Sequence, residues 1–188
     1  MDARPRLTCV LFDLDGTLVD TTALIFESYR YTLGYTPTDE ELLGQYGRPL
    51  PVTMRELVLA LGRTGGAKIE AAIETDRPQD SLRVQTGVPA PDESLVNRLV
   101  RVYRDFNTRN HDAYIHAFPY VEETLAELQR RGYAMGVVTS KGRATTELSL
   151  GRYHLHRFFG AVITADDTTS HKPDPEPVRR ALAVLGRQ

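Results

Sequence analysis

Two carboxylates, Asp13 and Asp15, stand two positions apart directly after the apolar run Leu7 to Phe12. Carboxylates this close together repel, so a divalent cation or a shared proton is needed to keep both in place. A hard cation such as Mg2+ prefers oxygen ligands and keeps waters or phosphate oxygens around it. One carboxylate could then act as a nucleophile that takes up a phosphoryl group, and the other as a general acid and base. The alternative is a solvated turn after a strand, because Asp-Gly is common in turns.

Further polar side chains follow two later apolar runs: Thr139, Ser140, Lys141, Asp166, Asp167 and Lys172. The Thr139 hydroxyl could bond a phosphoryl oxygen, although a hydroxyl after a strand also serves as a turn or helix cap. The Lys172 ammonium could neutralise charge between a nucleophile and a phosphoryl group. A lysine in such a segment is otherwise an ordinary exposed loop residue. These residues favour a shared site only when they are taken together.

The elements that must position these side chains alternate between helix and strand from Tyr120 onward. Apolar runs at 133–138 and 160–164 predict strands, and apolar positions with a helical period predict helices before, between and after them. Together with a first strand at 7–12, buried on both faces, this alternation is typical of a parallel α/β sheet. Ligands of such sheets bind outside the carboxyl ends of the strands, where all the polar clusters would converge.

Residues 36 to about 110 read as helical and lie between the first strand and its next partner, which predicts an insert above the sheet. One helix is expected from Thr21 or Thr22 to Gly34, and a second over 50–61. The segment 75–92 is rich in Pro and Gly and reads as a loop. A third helix, from about Asp92, would bury one apolar face: Leu95, Leu99, Val102 and Phe106.

The chain has 188 residues, of which 41% are hydrophobic and 26% charged, as in globular proteins with one domain or a core plus an insert. The formal net charge of -2 predicts that neither nucleic acid nor a membrane surface is a partner. No apolar run approaches the length of about 18 residues that indicates a transmembrane helix. The single cysteine, Cys9, fits a reducing compartment, so a cytoplasmic location is predicted.

In order and spacing, three segments resemble the first three motifs of the haloacid dehalogenase (HAD) phosphatase superfamily: Asp13-Leu14-Asp15-Gly16-Thr17, Val138-Thr139-Ser140-Lys141 and Lys172-Pro173-Asp174-Pro175. The resemblance covers nearly the whole chain. It implies an α/β fold with a Rossmann-like parallel sheet core, formed by 1–20 and 115–188. It also implies an α-helical cap inserted at 21–114, which is the arrangement of the phosphoglycolate-phosphatase-like branch.

The resemblance also assigns roles to the site residues. Asp13 would be the nucleophile and a ligand of the Mg2+ cofactor. Asp15 would be the acid and base, with its backbone carbonyl on the metal. Thr139 would bind the transferring phosphoryl group, Lys172 would hold Asp13 and the phosphate, and substrate binding would extend to Ser140 and Lys141. Haloacid dehalogenases themselves lack a second Asp at the position of Asp15, so a phosphatase with a small phosphorylated substrate is implied.

Further segments resemble bacterial HAD-type inorganic pyrophosphatases: Gly47-Arg48-Pro49-Leu50, Tyr103-Arg104-Asp105-Phe106-Asn107, His111-Asp112, Phe118-Pro119 and the stretch 171–177. Phosphoglycolate phosphatases share most of these segments. Two departures concern the cap and its junction, because the family's Gly after Phe-Pro is Tyr120 and the cap residues around 63–90 look inserted. Arg48 could bind the leaving phosphate of pyrophosphate through two hydrogen bonds, or it could be an exposed arginine in a turn.

The family carries a fourth, acidic motif after the last helix, which completes its metal site, and the sequence stops before it. We therefore expect a longer functional chain, since β-strand 7–12 would otherwise lie at a sheet edge, open to pairing with another chain. The oligomeric state is open. The predicted function is a Mg2+-dependent phosphohydrolase acting on pyrophosphate or on a small phosphomonoester such as phosphoglycolate. The alternatives are a sugar-phosphate mutase of the same branch and a catalytically incomplete HAD-like domain.

Overall fold

A computed structural model describes residues 7–34, 38, 40, 48–63 and 93–187, with the backbone alone for 61–63. The chain divides into two compact units. The first, the core unit, combines 1–21 with 115–188, and the second, the helical unit, comprises 22–114. The predicted loop over 75–92 lies outside the described residues. No described helix has both the length and the apolar character needed to cross a membrane.

Three parallel strands form the main sheet of the core unit in the order β1-β4-β5: β1 (Cys9–Phe12), β4 (Ala134–Val138) and β5 (Ala161–Ile163). The middle strand places Gly136 opposite Leu11 on one side and Ala161 on the other. A Cβ at this position would lie 3.0 Å from Leu11 Cδ2 and 3.2 Å from Ala161 O, so a glycine allows the close approach. The predicted parallel α/β sheet is confirmed.

The first strand is shorter and less buried than the sequence predicted. It covers Cys9–Phe12 rather than 7–12, all four residues are half-buried, and Leu7 is 78% exposed. Among the described strands, β1 has a neighbour only on the side of β4. The expectation of burial on both faces was wrong, because an apolar run does not reveal how much of its strand the neighbouring elements cover.

A short antiparallel ladder joins the two places where the chain leaves the core unit and returns to it. It consists of β2 (Val19–Asp20) and β3 (His116–Ala117), with Val19 opposite Ala117. Leu14 and Val19 are fully buried beside it. The ladder therefore fixes the far end of the turn that follows β1 and carries Asp13 and Asp15.

The helical unit contains α1 (Thr22–Leu33), α2 (Leu50–Arg63) and α3 (Glu93–Tyr114). Helix α3 packs against both α1 and α2. The three helices share one apolar cluster: Phe26, Tyr29, Leu33, Met54, Leu57, Val58, Val96, Leu99, Val100 and Tyr103. Helix α1 ends at Gly34, as predicted, with a φ of 65° that suits a glycine.

The buried face of α3 differs from the predicted one. Its buried residues are Val96, Leu99, Val100, Tyr103, Asn107 and His111. Of the four residues predicted to line the face, Leu99 alone is among them. Asn107 is buried because its Nδ2 donates a hydrogen bond to Ser28 Oγ of α1 at 3.1 Å. A hydropathy pattern counts Asn as polar and so shifts the predicted face away from this contact.

Three helices complete the core unit: α4 (Val121–Arg130), α5 (Arg143–Arg152) and α6 (Glu176–Val184). Helix α6 packs on β4 and β5, where its fully buried Ala181 meets Val138 and Ile163. Short 3-10 turns at Leu155–Phe158 and Ala165–Asp167 flank β5. The packing leaves the loops at the carboxyl ends of β1, β4 and β5 on one edge of the sheet.

Asp166 and Asp167, which follow β5, form hydrogen bonds with the neighbouring segments at this edge of the sheet. Thr164 N and Thr164 Oγ1 both donate to Asp167 Oδ2 at 2.7 Å, and the Arg143 guanidinium of α5 pairs with the same oxygen. Arg143 N donates to Asp166 Oδ2 at 2.7 Å, which caps α5. Burial raises the pKa of Asp167, but the Thr164 and Arg143 donors outweigh it and leave the pKa below its ordinary value.

Tyr120 occupies a backbone conformation that favours glycine. It precedes α4 with a φ of 64°, in the left-handed region, and its side chain is 76% exposed. The resembled family has Gly at this position. A side chain with a Cβ is strained there, and the exposed phenol has little packing to offset the strain.

We expect Tyr120→Gly to raise the free energy of unfolding by up to about 1 kcal/mol, because it removes the strain at positive φ. Urea denaturation measures the change. Tyr120→Ala is the matched control, since it removes the phenol but keeps the Cβ, and it should not stabilise the protein. Equal stabilisation by both substitutions would show that the phenol, and not the backbone, is the source of strain.

We expect Asp167→Asn to lower the free energy of unfolding by about 1–2 kcal/mol at pH 7, because a charged acceptor of three hydrogen bonds is lost. The lowered pKa of Asp167 makes this contribution present above the ordinary value of 3.8 and lost as the pH falls through the folded-state pKa. The difference between the two proteins should therefore shrink below pH 4. Glu123→Gln, at an exposed position of α4, is the control, and a pH-independent difference for Asp167→Asn would contradict the assignment.

Candidate active site

Asp13 stands one residue beyond β1, at the carboxyl end of the strand. Leu14 N donates to Asp13 Oδ1 at 2.8 Å, and Lys172 Nζ lies 2.9 Å from Asp13 Oδ2. The Asp13 side chain is nevertheless 41% exposed. One partner for each oxygen fixes the carboxylate, and the remaining exposure leaves it accessible to a substrate.

A tight turn carries Asp15 back toward the sheet. Leu14 O accepts hydrogen bonds from Leu18 N at 2.9 Å and Val19 N at 3.1 Å. Gly16 has a φ of 75° and donates from its N to Val19 O at 2.9 Å. The glycine after the second Asp is thus required by the backbone, because other residues rarely adopt this φ.

The Asp15 carboxylate is held through one oxygen. Asp15 Oδ1 accepts from Lys141 Nζ and from Thr21 Oγ1, both at 2.9 Å. The side chains of Asp15 and Lys141 are only 18% and 9% exposed. The low exposure indicates a largely desolvated pair, in which each charge depends on the other.

The loop after β4 brings the second predicted cluster to the same edge. Thr139 N donates to Ile163 O at 2.9 Å, and Thr139 Oγ1 accepts from Lys141 N at 3.1 Å. Since Thr139 Oγ1 is the acceptor in this bond, its own hydrogen can be donated to an anion. The Ser140 hydroxyl is buried and has no hydrogen-bond partner among the described residues. Contact between this hydroxyl and a substrate would require the loop to move.

Lys172 joins the ends of two strands. Its Nζ lies 2.9 Å from Asp13 Oδ2 and donates to Val138 O, the last residue of β4, at 3.3 Å. The preceding loop is held by Glu176, whose Oε2 accepts from Ser170 N at 2.8 Å. Bonds from the backbone of Ser170 and Thr169 hold the pKa of Glu176 below its ordinary value. The first turn of α6 therefore fixes the loop that presents Lys172.

Each carboxylate of the acidic pair thus has its own ammonium. Lys172 pairs with Asp13 and Lys141 pairs with Asp15. Two lysines that lie 126 and 159 residues away along the chain supply positive charge beside the two carboxylates. Four of the predicted site residues form two contacting pairs, Asp13 with Lys172 and Asp15 with Lys141, and Thr139 lies in the same loop as Lys141.

The donor chemistry at this edge fits a divalent cation in part. Asp13 carboxylate oxygens and the Asp15 carbonyl are hard oxygen donors, and Mg2+ commonly takes one or two protein carboxylates together with waters and substrate phosphate. Within the described ranges, no group of three or more His, Cys, Asp and Glu side chains is placed to hold a metal ion. The proposed ligands remain Asp13 and Asp15.

Arg48 belongs to the helical unit, so it is described apart from this site. Its guanidinium forms two hydrogen bonds with Glu56 of α2, one of them from Nη2 to Oε1 at 2.6 Å. The hydrogen bonds that the guanidinium donates to Glu56 raise the pKa of Arg48 above its ordinary value. The pair is exposed to solvent, and a role of Arg48 in substrate binding stays a prediction.

Sequence reasoning missed Thr21 and the partner of Lys141. Thr21 was considered only as a helix cap, and its hydroxyl instead donates to Asp15. Nothing in the spacing of six residues signals this bond. Asp166 and Asp167 were expected to join the site, and their carboxylates bond the loop and helix beside it, where Ala165 N also donates to Lys141 O at 3.0 Å.

Comparison with known proteins identifies the family of the chain. Residues 10–188 match the family described as haloacid dehalogenase-like hydrolases. Pyrophosphatase PpaX of Oceanobacillus iheyensis is 34% identical over 180 residues, which cover 94% of this chain and 68% of that protein. Pyrophosphatase PpaX of Bacillus velezensis is 37% identical over 185 residues, which cover 96% of this chain and 70% of that protein.

Solved structures share the fold. A predicted phosphoglycolate phosphatase from Haemophilus somnus has a TM-score of 0.77 and 20% identity, and the match covers 98% of this chain and 74% of that chain. A hydrolase from Pseudomonas syringae has a TM-score of 0.72 and 20% identity, and the match covers 96% and 72%. The acidic pair with its two lysines, the family match and the sequence relatives lead to one conclusion: the chain belongs to the haloacid dehalogenase-like hydrolase family.

Proposed function

We propose that the chain is a Mg2+-dependent phosphohydrolase that passes a phosphoryl group to Asp13 and then to water. The observation that carries this function is the pair of contacts in which Lys172 holds Asp13 and Lys141 holds Asp15. They provide one accessible carboxylate and one largely buried carboxylate at the carboxyl ends of parallel strands. The two carboxylates therefore suit different roles, one as nucleophile and one as acid and base.

In the first step, a carboxylate oxygen of Asp13 attacks phosphorus. A bond forms between that oxygen and phosphorus, and the bond from phosphorus to the leaving-group oxygen breaks. In this step Asp15 carries a proton on Oδ2 while Oδ1 accepts from Lys141 Nζ, and the Oδ2 proton passes to the leaving oxygen. Lys172 and the Thr139 hydroxyl share the negative charge of the transferring group, which is where phosphoryl transfer needs stabilisation.

In the second step, a water molecule attacks phosphorus of the phospho-aspartate. Asp15, now ionised, takes the proton of the water, and the bond between Asp13 and phosphorus breaks to release inorganic phosphate. At the end Asp13 is again ionised and Asp15 is again protonated, so each residue returns to its state at the start. Bound Mg2+, held by oxygens of Asp13 and Asp15, would supply positive charge to the phosphoryl oxygens.

We propose inorganic pyrophosphate as the first substrate to test, and a small phosphomonoester such as phosphoglycolate as the second. The relatives named pyrophosphatase support the first choice. In this reading Arg48 binds the phosphate that leaves, since an arginine can contact two oxygens of one phosphate. Arg48 would then have to exchange its solvent-exposed Glu56 partner for the substrate.

Phosphate release tests the function directly. We expect purified protein to release phosphate from pyrophosphate or phosphoglycolate when Mg2+ is present, and to stop when the metal is chelated. Transfer of the phosphoryl group between sugar phosphates without net release would indicate a mutase. No release from either substrate, and none from para-nitrophenyl phosphate, would overturn the proposed function. A cytoplasmic location remains a prediction from the sequence.

Asp13→Asn should lower kcat by about a thousandfold or more, because it removes the nucleophile while an amide keeps nearly the same shape. Steady-state phosphate release measures the loss, and circular dichroism verifies the fold. Glu123→Gln, which removes an exposed carboxylate from α4, should leave kcat unchanged. An Asp13→Asn protein that retains activity within about tenfold of the unaltered chain would remove Asp13 from the nucleophile role.

Arg48 and Glu56 allow a paired prediction with opposite signs. Arg48→Ala should raise KM for pyrophosphate about tenfold or more, because a charged hydrogen-bond donor to the leaving phosphate is lost. Glu56→Gln should lower that KM, because it removes the negative charge that competes with the substrate phosphate for the guanidinium. Neither change should alter KM for para-nitrophenyl phosphate, whose leaving group carries no phosphate. Equal effects on the two substrates would reject the contact between Arg48 and the leaving phosphate.

A further inference from the structure

Lys141 has a different partner from the one its motif suggests. A lysine at the end of a strand, among phosphate-binding residues, is expected to contact the substrate. Its Nζ instead lies 2.9 Å from Asp15 Oδ1, and its side chain is only 9% exposed. An ammonium that leaves a largely buried carboxylate for a substrate would leave that carboxylate unpaired, which is costly.

The backbone around Lys141 fixes the direction of this side chain. Lys141 N donates to Thr139 Oγ1 at 3.1 Å, and Lys141 O accepts from Ala165 N at 3.0 Å. Both backbone hydrogen-bonding groups of the residue are therefore engaged on the side of β4 and β5. The side chain crosses from this loop to the turn after β1, where Asp15 lies.

Both hydrogen-bond donors to the Asp15 carboxylate bind the same oxygen. Lys141 Nζ and Thr21 Oγ1 both bind Oδ1, and Asp15 Oδ2 has no hydrogen-bond partner in the described part of the chain. A carboxylate held at Oδ1 cannot rotate freely. Its Oδ2 is then presented in one direction, as a group that exchanges protons with a substrate must be.

We propose that Lys141 is a positioning residue, which together with Thr21 holds Asp15 through Oδ1 so that Asp15 Oδ2 gives and takes the proton. This inference rests on the proposed phosphohydrolase function. In this assignment Lys141 orients Asp15, the general acid and base, and does not bind the substrate. Lys172 remains the lysine that serves the nucleophile and the phosphoryl group.

Substitution of Lys141 separates the two roles. Lys141→Met keeps the aliphatic stem and removes the charge. Loss of positioning should lower kcat by about 10- to 100-fold. The inhibition constant of imidodiphosphate, a pyrophosphate analogue with a stable bridge, should change less than about twofold, because binding does not use the ammonium. A lysine that binds substrate would instead raise this constant about tenfold or more.

Arg179→Met is the matched control for loss of a cationic side chain. Arg179 is exposed on α6 and takes no part in the site, so kcat and the inhibition constant should both stay unchanged. Thr21→Val provides a second variant if Lys141→Met does not fold. Valine has nearly the same shape as threonine but lacks the hydroxyl that donates to Asp15 Oδ1. Thr21→Val should likewise lower kcat without raising the inhibition constant of imidodiphosphate.

A combined substitution completes the test. In an Asp15→Asn background, Lys141→Met should slow phospho-enzyme formation from para-nitrophenyl phosphate by less than about twofold, because no carboxylate remains to be positioned. The positioning role would be overturned if Lys141→Met slowed phospho-enzyme formation in that background by the full factor of about 10 to 100, or if Lys141→Met alone raised the inhibition constant about tenfold. Either result would leave the proposed phosphohydrolase function in place. Absence of phosphate release by the unaltered protein would overturn the proposed function, and the positioning role with it.

Discussion

Repulsion between two adjacent carboxylates is the constraint that the candidate site has to satisfy. Asp13 and Asp15 are brought together by a turn that closes on β2, and each is neutralised by a lysine from another loop. Lys141 reaches Asp15 because β1 and β4 are parallel neighbours, with Phe12 opposite Val137. Lys172 comes from the loop after β5 and passes the end of β4, where it donates to Val138 O. Charge balance at the site is therefore a consequence of strand order, since another order would separate the acids from at least one of the lysines.

The loops that carry the lysines are themselves held by acidic residues. Glu176 binds the backbone before Lys172, while Asp166 and Asp167 bind the start of α5 and the turn after β5. Donors from the backbone and from Arg143 keep the pKa of Asp167 low, so it remains an acceptor at neutral pH. Carboxylates thus serve two purposes in the core unit. Asp13 and Asp15 are proposed to react, and the others fix the loops from which their partners extend.

The sequence was sufficient for the parallel sheet, because strands of apolar residues alternate with helices in a pattern that few folds share. Four of the predicted site residues form two ion pairs in the structure, Lys172 with Asp13 and Lys141 with Asp15, and their roles in a site stay predictions. The sequence did not reveal which lysine pairs with which acid, since that depends on side-chain direction in space. The buried Asn107 was missed because the hydrogen bond from its Nδ2 goes to Ser28 on another helix, which the sequence does not show. The half-buried state of β1 was missed because its apolar residues do not show how much of the strand the neighbouring elements cover.

The most direct test of the proposed mechanism is identification of the phosphorylated residue. Protein mixed briefly with para-nitrophenyl phosphate and Mg2+, quenched in acid and digested, should carry one phosphoryl group on the peptide that contains Asp13. Fragmentation of this peptide by mass spectrometry should place the group on Asp13, and hydroxylamine should remove it, as it does an acyl phosphate. Phosphate release by a protein that carries no phosphoryl group at any time in the turnover, or carries it on another residue, would contradict the account.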